Sequence, residues 1–340
     1  MTSLINSVHK RLIDRIEKLE WSLPHHSVLM RGLGVVGAVT ALSASVSACG
    51  FVYNHFLRPF PALGARYGKG WAVISGGTAG IGYEIAKILA KEGVNVVLLA
   101  RDQQRLDETA IVLKQINPSV SVLTVSCDAA SANYDVLRQS LDGLDVSLLV
   151  NNVGVHNDIP TNVEDLSREE IDRIISVNCN FQVNLTSLLI PQLKKHQRAA
   201  VSGGGYQRHA ATTVLNVSSL TSQMAMPLLS VYAGSKAFEE HWSACLAAEL
   251  APDHIEVMCV RPGLTVSRMS GISEPSLFCP SAADMARSIL HKVGLKQLSI
   301  APYWPHALLD WINQLVPERV AGEIVRKMHQ KKRDELVKAN

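Results

Sequence analysis

Short apolar segments alternate with amphipathic segments along most of this chain of 340 residues. The apolar segments have the length of buried strands, and they cover Trp71 to Ile74, Val94 to Ala100, Val120 to Ser126, Val146 to Val150, Thr213 to Val217 and Ile255 to Val260. Apolar residues at helical spacing predict helices over Gly80 to Glu92, Gln103 to Asn117, Tyr134 to Leu141, Arg168 to Lys195 and Tyr232 to Leu250. Such alternation is typical of a parallel sheet covered by helices on both faces. The predicted fold class is therefore α/β, with a single doubly wound parallel sheet.

A glycine-rich turn directly follows the first predicted strand and opens the first predicted helix of this sheet. Backbone that carries no side chain can approach a pyrophosphate closely, and a helix N-terminus favours the negative charge. In this context of strand, turn and helix, the pattern predicts a Rossmann-like dinucleotide site. The residues of the turn that are expected to bind the cofactor are Ser75, Gly76, Gly77, Thr78, Gly80, Ile81 and Gly82.

The end of the second predicted strand indicates which dinucleotide is preferred. This strand closes at Ala100 without an acidic residue that could accept the ribose hydroxyls, and Arg101 follows at once. A cation at this place can pair with a 2′-phosphate, so NADPH is favoured over NADH. The next residue, Asp102, is expected to cap the following helix.

Polar residues also end the third and fourth predicted strands. Asp128 follows the third strand, where its carboxylate could meet the adenine amino group or could serve only as a turn residue. Asn152 and Gly154 follow the fourth strand. Because the carboxyl ends of parallel strands form the ligand crevice, these three residues are predicted to contribute to the cofactor site.

Tyr232 and Lys236 lie four residues apart at the start of a predicted helix, so their side chains share one helix face. The pKa of an unperturbed tyrosine is about 10, and a nearby cation stabilises the phenolate and brings the group toward physiological pH. This suits general acid and base work on an alcohol or a ketone. The alternative is a half-exposed tyrosine beside a solvated lysine. Ser219 follows the fifth predicted strand and could hydrogen-bond a substrate oxygen shared with Tyr232.

The glycine-rich turn, Asn151-Asn152-Val153-Gly154, Asn178, Ser219, Tyr232 and Lys236 occur in an order and at separations that resemble the short-chain dehydrogenase/reductase family. The resemblance covers about residues 67 to 300. It implies that Tyr232 gives a proton to the carbonyl oxygen and that Ser219 holds this oxygen. It also implies that Lys236 binds the nicotinamide ribose and helps to lower the pKa of Tyr232. Asn178 would support a water relay to Lys236.

A segment near the end of the predicted sheet extends this resemblance. Arg261-Pro262-Gly263, followed by Ser267, is similar to the proline and glycine segment that flanks the nicotinamide in the family. Pro262, Gly263 and Ser267 are therefore implied to bind the cofactor, together with Tyr232 and Lys236.

Several segments resemble one branch of the family, the membrane-bound very-long-chain 3-oxoacyl-CoA reductases, also called 17-beta-hydroxysteroid dehydrogenase type 12-like proteins. They are an N-terminal anchor, Tyr67 to Val73, Leu149 to Gly154, Pro227 to Tyr232 and Trp311-Ile312-Asn313. This resemblance implies NADPH-dependent reduction of a 3-oxoacyl-CoA to the 3-hydroxyacyl-CoA during fatty-acid elongation at the endoplasmic reticulum membrane. It further implies association with other elongation enzymes, and dimers or tetramers formed through the two longest helices, although an apolar helix face serves a core equally well.

Two other functions compete with this interpretation. The same site could act on a 17-beta-hydroxysteroid or another lipophilic ketone or alcohol, because an apolar cleft would accept either substrate. The chain could instead be a catalytically silent nucleotide-binding scaffold of a lipid-synthesis complex. The intact set of Ser219, Tyr232 and Lys236 argues against a scaffold, which needs none of them.

The N-terminal region is predicted to meet a membrane. Residues 1–30 have apolar residues at helical spacing among lysines and arginines, and this amphipathic segment either lies on a membrane surface or packs on its own domain. Gly32 to Tyr53 contains no charged residue, and roughly 20 apolar residues span a bilayer core. Residues 31–57 are therefore predicted to form a membrane anchor, with a buried helix as the alternative.

The remaining organisation follows from composition. Residues 66–300 are predicted to form the Rossmann-like domain, and residues 301–340 an aromatic and basic helical extension. Residues 196–211 are polar and glycine-rich and predict a loop.

Charge and cysteine usage exclude several functions. The net charge is +3, and no basic run is interleaved with aromatic residues, which argues against nucleic-acid binding. The six cysteines are widely spaced without a Cys-x-x-Cys pattern or a cluster with histidines, so no metal site is predicted. Scattered cysteines indicate that the catalytic domain faces the cytosol or another reducing compartment. Basic residues flank the anchor on both sides, so the positive-inside rule leaves its orientation open.

Overall fold

The computed structural model describes residues 28–202 and 212–339 of the chain. It divides after Arg58 into two compact units. The described part of the first unit is helix α1 (Val28–Val52) followed by a π-helical turn (Tyr53–Leu57). Gly32–Leu57 has a mean hydropathy of 1.9 over 26 residues, so it is long and apolar enough to cross a membrane. The predicted amphipathic segment lies outside the described residues, apart from its last three residues, which begin α1.

The second unit is built on a seven-stranded sheet with the strand order β3-β2-β1-β4-β5-β6-β7. Every pair of neighbouring strands is parallel. The strands are β1 (Trp71–Ser75), β2 (Asn95–Ala100), β3 (Val122–Ser126), β4 (Val146–Asn151), β5 (Thr213–Val217), β6 (Glu256–Val260) and β7 (Ser299–Ile300). The sheet confirms the predicted doubly wound fold. The chain passes from β3 back to β4 beside β1, so the carboxyl ends of β1 and β4 adjoin at a topological switch point, where α/β sheets bind ligands.

Ten further helices complete the described part of the second unit. They are α2 (Leu63–Tyr67), α3 (Gly80–Lys91), α4 (Gln103–Ile116), α5 (Tyr134–Leu141), α6 (Arg168–Ile175), α7 (Phe181–Ser202), α8 (Ser230–Leu250), α9 (Ala282–Lys292), α10 (Trp304–Leu315) and α11 (Glu318–Ala339). Side-chain caps fix several helix starts. Asp102 accepts the backbone N–H of Arg105 as the predicted cap of α4, and Ser281 accepts the N–H of Asp284 in the same way at α9.

Helices cover both faces of the sheet and form two buried apolar clusters. Successive side chains of a strand point to opposite faces, so Ile74 belongs to one cluster and Val73 to the other. The first cluster includes the buried faces of α3 and α9, and the second includes those of α7 and α8. Because both faces of the sheet are buried, its strands consist of nearly continuous apolar runs.

Three connecting segments differ from their prediction. The long helix predicted from Arg168 is interrupted by a π-helical turn, Ser176–Asn180, and then continues to Ser202. The predicted loop 196–211 is therefore helical at its start, and residues 203–211 lie outside the described part of the chain. Gly64 and Gly70 predict a short linker between them, but most of α2 lies there, because Leu63 and Tyr67 lie four residues apart and both are fully buried.

Candidate active site

The predicted site residues meet at the carboxyl ends of β1, β4 and β5, next to the start of α8. Tyr232 and Lys236 lie on one face of α8, one helical turn apart. Tyr232 is partly exposed, and its ring meets the His156 imidazole edge to face with centroids 5.8 Å apart. Lys236 lies deeper in the unit, where the residue is 4% exposed. The structure thus places a phenol at the surface of the crevice and an ammonium beneath it.

The Lys236 ammonium is held by acceptors from the chain itself. Its Nζ donates to the backbone oxygen of Val217, at the end of β5, over 3.0 Å. It also lies 2.8 Å and 3.0 Å from the two carboxylate oxygens of Glu239, which is completely buried. Burial would lower the pKa of Lys236, but the charges of Glu239 and Tyr232 raise it overall, so the lysine stays protonated.

Glu239 is the buried partner of this lysine, and burial disfavours the ionised form of its carboxyl. Burial raises the pKa of the Glu239 carboxyl to about 7, although Lys236 and a hydrogen bond from Gln182 pull it down. Gln182 Nε2 donates to Glu239 Oε1 over 2.8 Å. The ion pair therefore secures the charge of the lysine, whereas the carboxyl is only partly ionised near neutral pH.

Ser219 ends the segment after β5 and caps a short 3₁₀ turn, Leu220–Gln223. Its Oγ accepts the N–H of Thr221 over 3.2 Å, and a hydroxyl that accepts one bond still has an O–H to donate. The preceding Ser218 Oγ donates to the backbone oxygen of Lys236 over 2.8 Å and so ties the end of β5 to α8. This bond fixes Ser219 on the same side of the sheet as Tyr232 and Lys236.

Asn178 lies in the π-helical turn and is fully buried. Its Oδ1 accepts the N–H of Val155 over 2.8 Å, and its Nδ2 donates to the Val155 oxygen and to Ser235 Oγ over 2.9 Å and 2.8 Å. The side chain therefore joins the loop after β4 to α8. Gly154 lies in this loop, where a Cβ would come within 3.2 Å of Lys236 Nζ. The close approach explains why glycine stands at this position.

Ser75 and Asn152 join the glycine-rich turn to β4. Ser75 Oγ accepts the backbone N–H groups of Asn152 and Val153 over 3.0 Å and 3.1 Å. Asn152 Nδ2 donates to the backbone oxygen of Ser75 over 3.0 Å. Both side chains therefore shape the turn.

The turn from Gly76 into α3 has the form of a phosphate cradle. A Cβ on Gly82 would lie 2.5 Å from both the Gly76 backbone oxygen and Asn152 Nδ2, so only glycine fits there. Gly80 opens α3 with a φ of 55°, in the left-handed region that favours glycine. The turn also places Gly77, Thr78 and Ile81 at the N-terminus of α3. The residues present therefore fit a dinucleotide whose pyrophosphate meets this helix end.

Two more of the predicted cofactor residues, Arg101 and Asp128, follow the ends of β2 and β3. Arg101 directly follows β2 and is exposed, while Asp102 forms its ion pair with Arg105 over 3.2 Å. Asp128 Oδ1 accepts the N–H of Ala130 over 3.0 Å, which is the turn role considered for it. Its contact with an adenine remains a prediction.

Pro262, Gly263 and Ser267 follow β6 in a segment held by its own hydrogen bonds. The Pro262 backbone oxygen accepts the N–H of Leu220 over 3.0 Å. Gly263 donates its N–H to His306 Nδ1 over 3.0 Å, and Ser267 bonds to Ser270 within a tight turn. His306 is buried, and burial lowers its pKa. Because Nδ1 accepts, the neutral ring carries its proton on Nε2, which lies 3.0 Å from the Phe278 oxygen.

The model of the short chain dehydrogenase family matches residues 70–276. A very-long-chain 3-oxoacyl-CoA reductase of Coprinopsis cinerea is 35% identical over 317 residues, which cover 89% of this chain and 88% of that protein. A second reductase of this name, from Pyricularia oryzae, is 34% identical and covers 84% of each chain. This chain is a short-chain dehydrogenase. As a member of that family it is an oxidoreductase that acts on CH–OH groups.

Solved structures of other members share the fold of this dehydrogenase. A short-chain dehydrogenase from Sphingobium yanoikuyae in complex with NADPH has a TM-score of 0.59 and 24% identity over 72% of this chain and 93% of its own. A 3-ketoacyl-(acyl-carrier-protein) reductase from Brucella melitensis, complexed with NADH, has a TM-score of 0.58 and 25% identity over 68% of this chain and 95% of its own.

Three side chains of this dehydrogenase site were missed by the sequence reasoning: Glu239, Gln182 and His306. Glu239 lies three residues after Lys236, a spacing that allows a pair on one helix face. The adjacent Glu240 hides this signal, because two consecutive acids on a helix are typical of a solvated surface. Gln182 and His306 contact the site only through the tertiary fold, and no local pattern predicts that.

Proposed function

We propose that this short-chain dehydrogenase reduces long-chain or very-long-chain 3-oxoacyl-CoA to 3-hydroxyacyl-CoA with NADPH during fatty-acid elongation. The observation that carries this proposal is the similarity, over 84% to 89% of the chain, to reductases of that name. Their identity of 34% to 35% extends well beyond the 70–276 family match. The assembled Ser219, Tyr232 and Lys236 supply the groups that such a reaction needs.

The chain's own residues account for the proton and for the placement of the carbonyl. A bound NADPH supplies the hydride that the carbonyl carbon receives. Tyr232 donates the proton to the carbonyl oxygen, and the free O–H of Ser219 holds this oxygen in place. Lys236 provides a fixed positive charge beneath the phenol, because its ammonium is buried and protonated. Asn178 fixes the backbone of the loop at Val155 and would support a water relay to Lys236.

The residues of the cradle would bind the cofactor mainly through backbone. The turn from Ser75 to Gly82 faces the pyrophosphate, and Asn152 and Gly154 flank the nicotinamide half with the Pro262 to Ser267 segment. Asp128 is proposed to meet the adenine. Structural neighbours with NADPH and with NADH are both known. The exposed Arg101 after β2 favours the 2′-phosphate and therefore NADPH.

We place the protein at the endoplasmic reticulum membrane with its catalytic unit in the cytosol. Gly32–Leu57 provides a helix of sufficient length and hydropathy for an anchor. The six cysteines are free thiols, as expected in a reducing compartment. A homodimer and contacts with other elongation enzymes belong to the same proposal. The exposed Phe238, which stacks on Trp242 on α8, is a suitable contact residue for a second copy.

The test is NADPH oxidation by the full chain in detergent or nanodiscs. The substrates are a long 3-oxoacyl-CoA and a 17-keto steroid, with NADH as the cofactor control. We expect the acyl-CoA to be reduced at much higher kcat/KM than the steroid, and NADPH to be preferred. Steroid reduction alone would replace the proposed substrate. NADPH binding without reduction of either ketone would indicate the scaffold function instead.

A further inference from the structure

Helix α10 buries polar side chains and exposes apolar ones, which reverses the usual pattern of a helix on the surface of a globular protein. Its inner face carries His306 and Asp310, which are buried and bond to Gly263 and Arg261 at the end of β6. Its outer face carries four large apolar residues that are 37% to 65% exposed, namely Leu308, Trp311, Ile312 and Leu315. Their spacing of three and four residues places them in one stripe. Such an outward apolar stripe marks a contact with something other than water.

Helix α11 adds a second apolar stripe beside the first helix. Both helices pack on residues 224–227, the segment that precedes α8. Asn313 Nδ2 of α10 lies 3.8 Å from Met224 Sδ, and His329 Nδ1 of α11 lies 2.6 Å from the backbone oxygen of Pro227. On another face of α11, three apolar residues spaced by four are each more than half exposed, namely Val320, Ile324 and Met328. Both helices therefore hold the same segment with one face and present apolar residues to the outside with another.

Basic residues accompany the stripe of α11 and indicate what it contacts. Residues 324–333 contain five lysines and arginines and no acidic residue. Arg333 pairs with Asp165 over 3.8 Å, whereas the other four are exposed, namely Arg326, Lys327, Lys331 and Lys332. Apolar residues beside basic ones are the pattern of a helix that lies on an anionic membrane, and tryptophan is enriched at membrane interfaces. In a two-fold contact with a second copy, the basic residues would meet the same basic residues, so charge favours lipid.

The apolar surface continues onto residues 264–278, which follow Gly263 at the carboxyl end of β6. His306 of α10 holds both ends of this segment, because it accepts the N–H of Gly263 and donates to the Phe278 oxygen, each over 3.0 Å. The large apolar residues of the segment that are exposed are Leu264, Met269, Leu277 and Phe278. Because the ligand crevice lies at the carboxyl ends of the strands, the apolar surface reaches from α10 to the edge of the crevice.

We propose that the outer faces of α10 and α11, together with residues 264–278, form a docking surface for the lipid membrane, as a second membrane contact besides Gly32–Leu57. That helix is long and apolar enough to cross a bilayer, and the second compact unit begins two residues after it, at Pro59. This connection alone keeps the second unit close to any bilayer that the helix crosses. The inference rests on the part of the proposed function that places the protein at a membrane. In this arrangement the acyl chain of the substrate passes from the lipid to the crevice without crossing water.

The experiment places the full chain in nanodiscs whose lipids carry bromine on their acyl chains, with unbrominated lipids of the same headgroups as reference. Bromine quenches nearby tryptophans, and the emission of Trp311 is the difference between the wild type and Trp311→Phe. We expect this emission to fall by about half or more in brominated nanodiscs, because the apolar face of an interfacial helix lies about 5–10 Å into the boundary of headgroups and acyl chains. Trp242→Phe is the matched control, since Trp242 packs against the second apolar cluster. It should show the same bromine-induced loss of fluorescence as the wild type.

The charge of the docking surface gives a second result. Quenching of Trp311 should be stronger with anionic than with neutral lipids, and the double variant Lys331→Glu, Lys332→Glu should lose most of that gain. Trp311 emission that bromine leaves unchanged would overturn the inference, and a dimer in detergent that Leu315→Glu separates would then assign the surface to a second copy. The result is independent of catalysis. Quenching without reduction of a 3-oxoacyl-CoA would support the docking and reject the proposed reaction, whereas reduction without quenching would do the reverse.

Discussion

The guanidinium of Arg261 makes two parallel hydrogen bonds to the carboxylate of Asp310, from Nη1 over 3.0 Å and from Nη2 over 2.8 Å. Arg261 directly follows β6, and Asp310 lies in the middle of α10. Both residues are less than a tenth exposed. This buried pair therefore anchors α10 to the end of the sheet, next to the Pro262 and Gly263 backbone of the site.

Asp310→Ala should destabilise the protein, because it removes both hydrogen bonds from the buried Arg261 guanidinium and leaves only the weaker ion pair with Glu240, 3.4 Å from Nε. We expect the free energy of unfolding to fall by up to about 3–5 kcal/mol. The exposed pair of Arg326 and Glu323 on α11 provides the control, since its N–O distance is 3.9 Å. Glu323→Ala should cost about 1 kcal/mol or less. Chemical denaturation of both variants measures the difference. Equal losses of unfolding free energy would show that the buried pair stabilises the protein no more than the exposed pair does.

Tyr232→Phe should reduce the rate of ketone reduction by at least about 10²-fold to 10⁴-fold, because general acid catalysis contributes this much. NADPH binding should be retained, since the ring and Lys236 remain. Tyr83 and Lys87 on α3 form a second tyrosine and lysine pair four residues apart, with Lys87 Nζ 5.1 Å from the ring centroid. Tyr83→Phe is the matched control and should keep nearly full activity. Single-turnover reduction and NADPH fluorescence titration measure the two effects separately.

The sequence predicted the central strands of the sheet because they are buried on both faces, which leaves apolar runs with clear limits. The predicted and observed limits of Thr213–Val217 are identical. The two-residue β7 was missed, because Ser299–Ile300 is too short to have a periodicity. Local pattern also failed at Ser176–Asn180, where a π-helical turn has the same residue types as an α-helix.

The site itself was predictable only in part. Ser219, Tyr232 and Lys236 could be proposed from residue type, order and spacing, and the structure brings them to one end of the sheet. Their buried partners Glu239 and Gln182 could not be predicted in this way. These two residues lie on different helices, and their side chains meet only when the helices pack together. The side chains of Ser75 and Asn152 illustrate the same limit for the contacts within the chain. Their hydrogen bonds join the turn to β4, which the sequence pattern does not reveal, and their part in binding the cofactor stays a prediction.

Arg101→Ala tests the proposed cofactor preference. A charge-assisted hydrogen bond to the 2′-phosphate contributes about 1.5–3 kcal/mol, so Kd for NADPH should rise about ten-fold to a hundred-fold. The Kd for NADH, which lacks this phosphate, should change little. Arg105→Ala is the control, because Arg105 lies nearby on α4 and pairs with Asp102 instead. Competitive titration with both dinucleotides measures the effect, and an equal loss for NADPH and NADH would reject the role of Arg101.

The pH dependence of stability in the absence of cofactor tests the buried carboxyl independently. The pKa of Glu239 is raised from 4.5 to about 7 in the folded protein, mainly by burial. A raised carboxyl pKa means that the folded state binds the proton more tightly than the unfolded state does. The resulting stabilisation is fully present below pH 4.5 and is lost as the pH rises through about 7. Over this window the free energy of unfolding of the wild type should fall by up to about 3 kcal/mol. Glu239→Gln should not show this fall.

The measurement for this prediction is thermal unfolding of the cofactor-free wild type, Glu239→Gln and Glu240→Gln at pH 5, 6, 7 and 8. Glu239→Gln starts from a lower Tm at acid pH, because the glutamine replaces a carboxyl that is protonated and well bonded there. The gap between the two proteins should narrow as the pH rises through 7, because the wild type alone must then ionise a buried group. Glu240→Gln should follow the wild-type trend. A gap that widens with pH would mean that Glu239 is fully ionised in the folded protein and that its ion pair with Lys236 outweighs its burial.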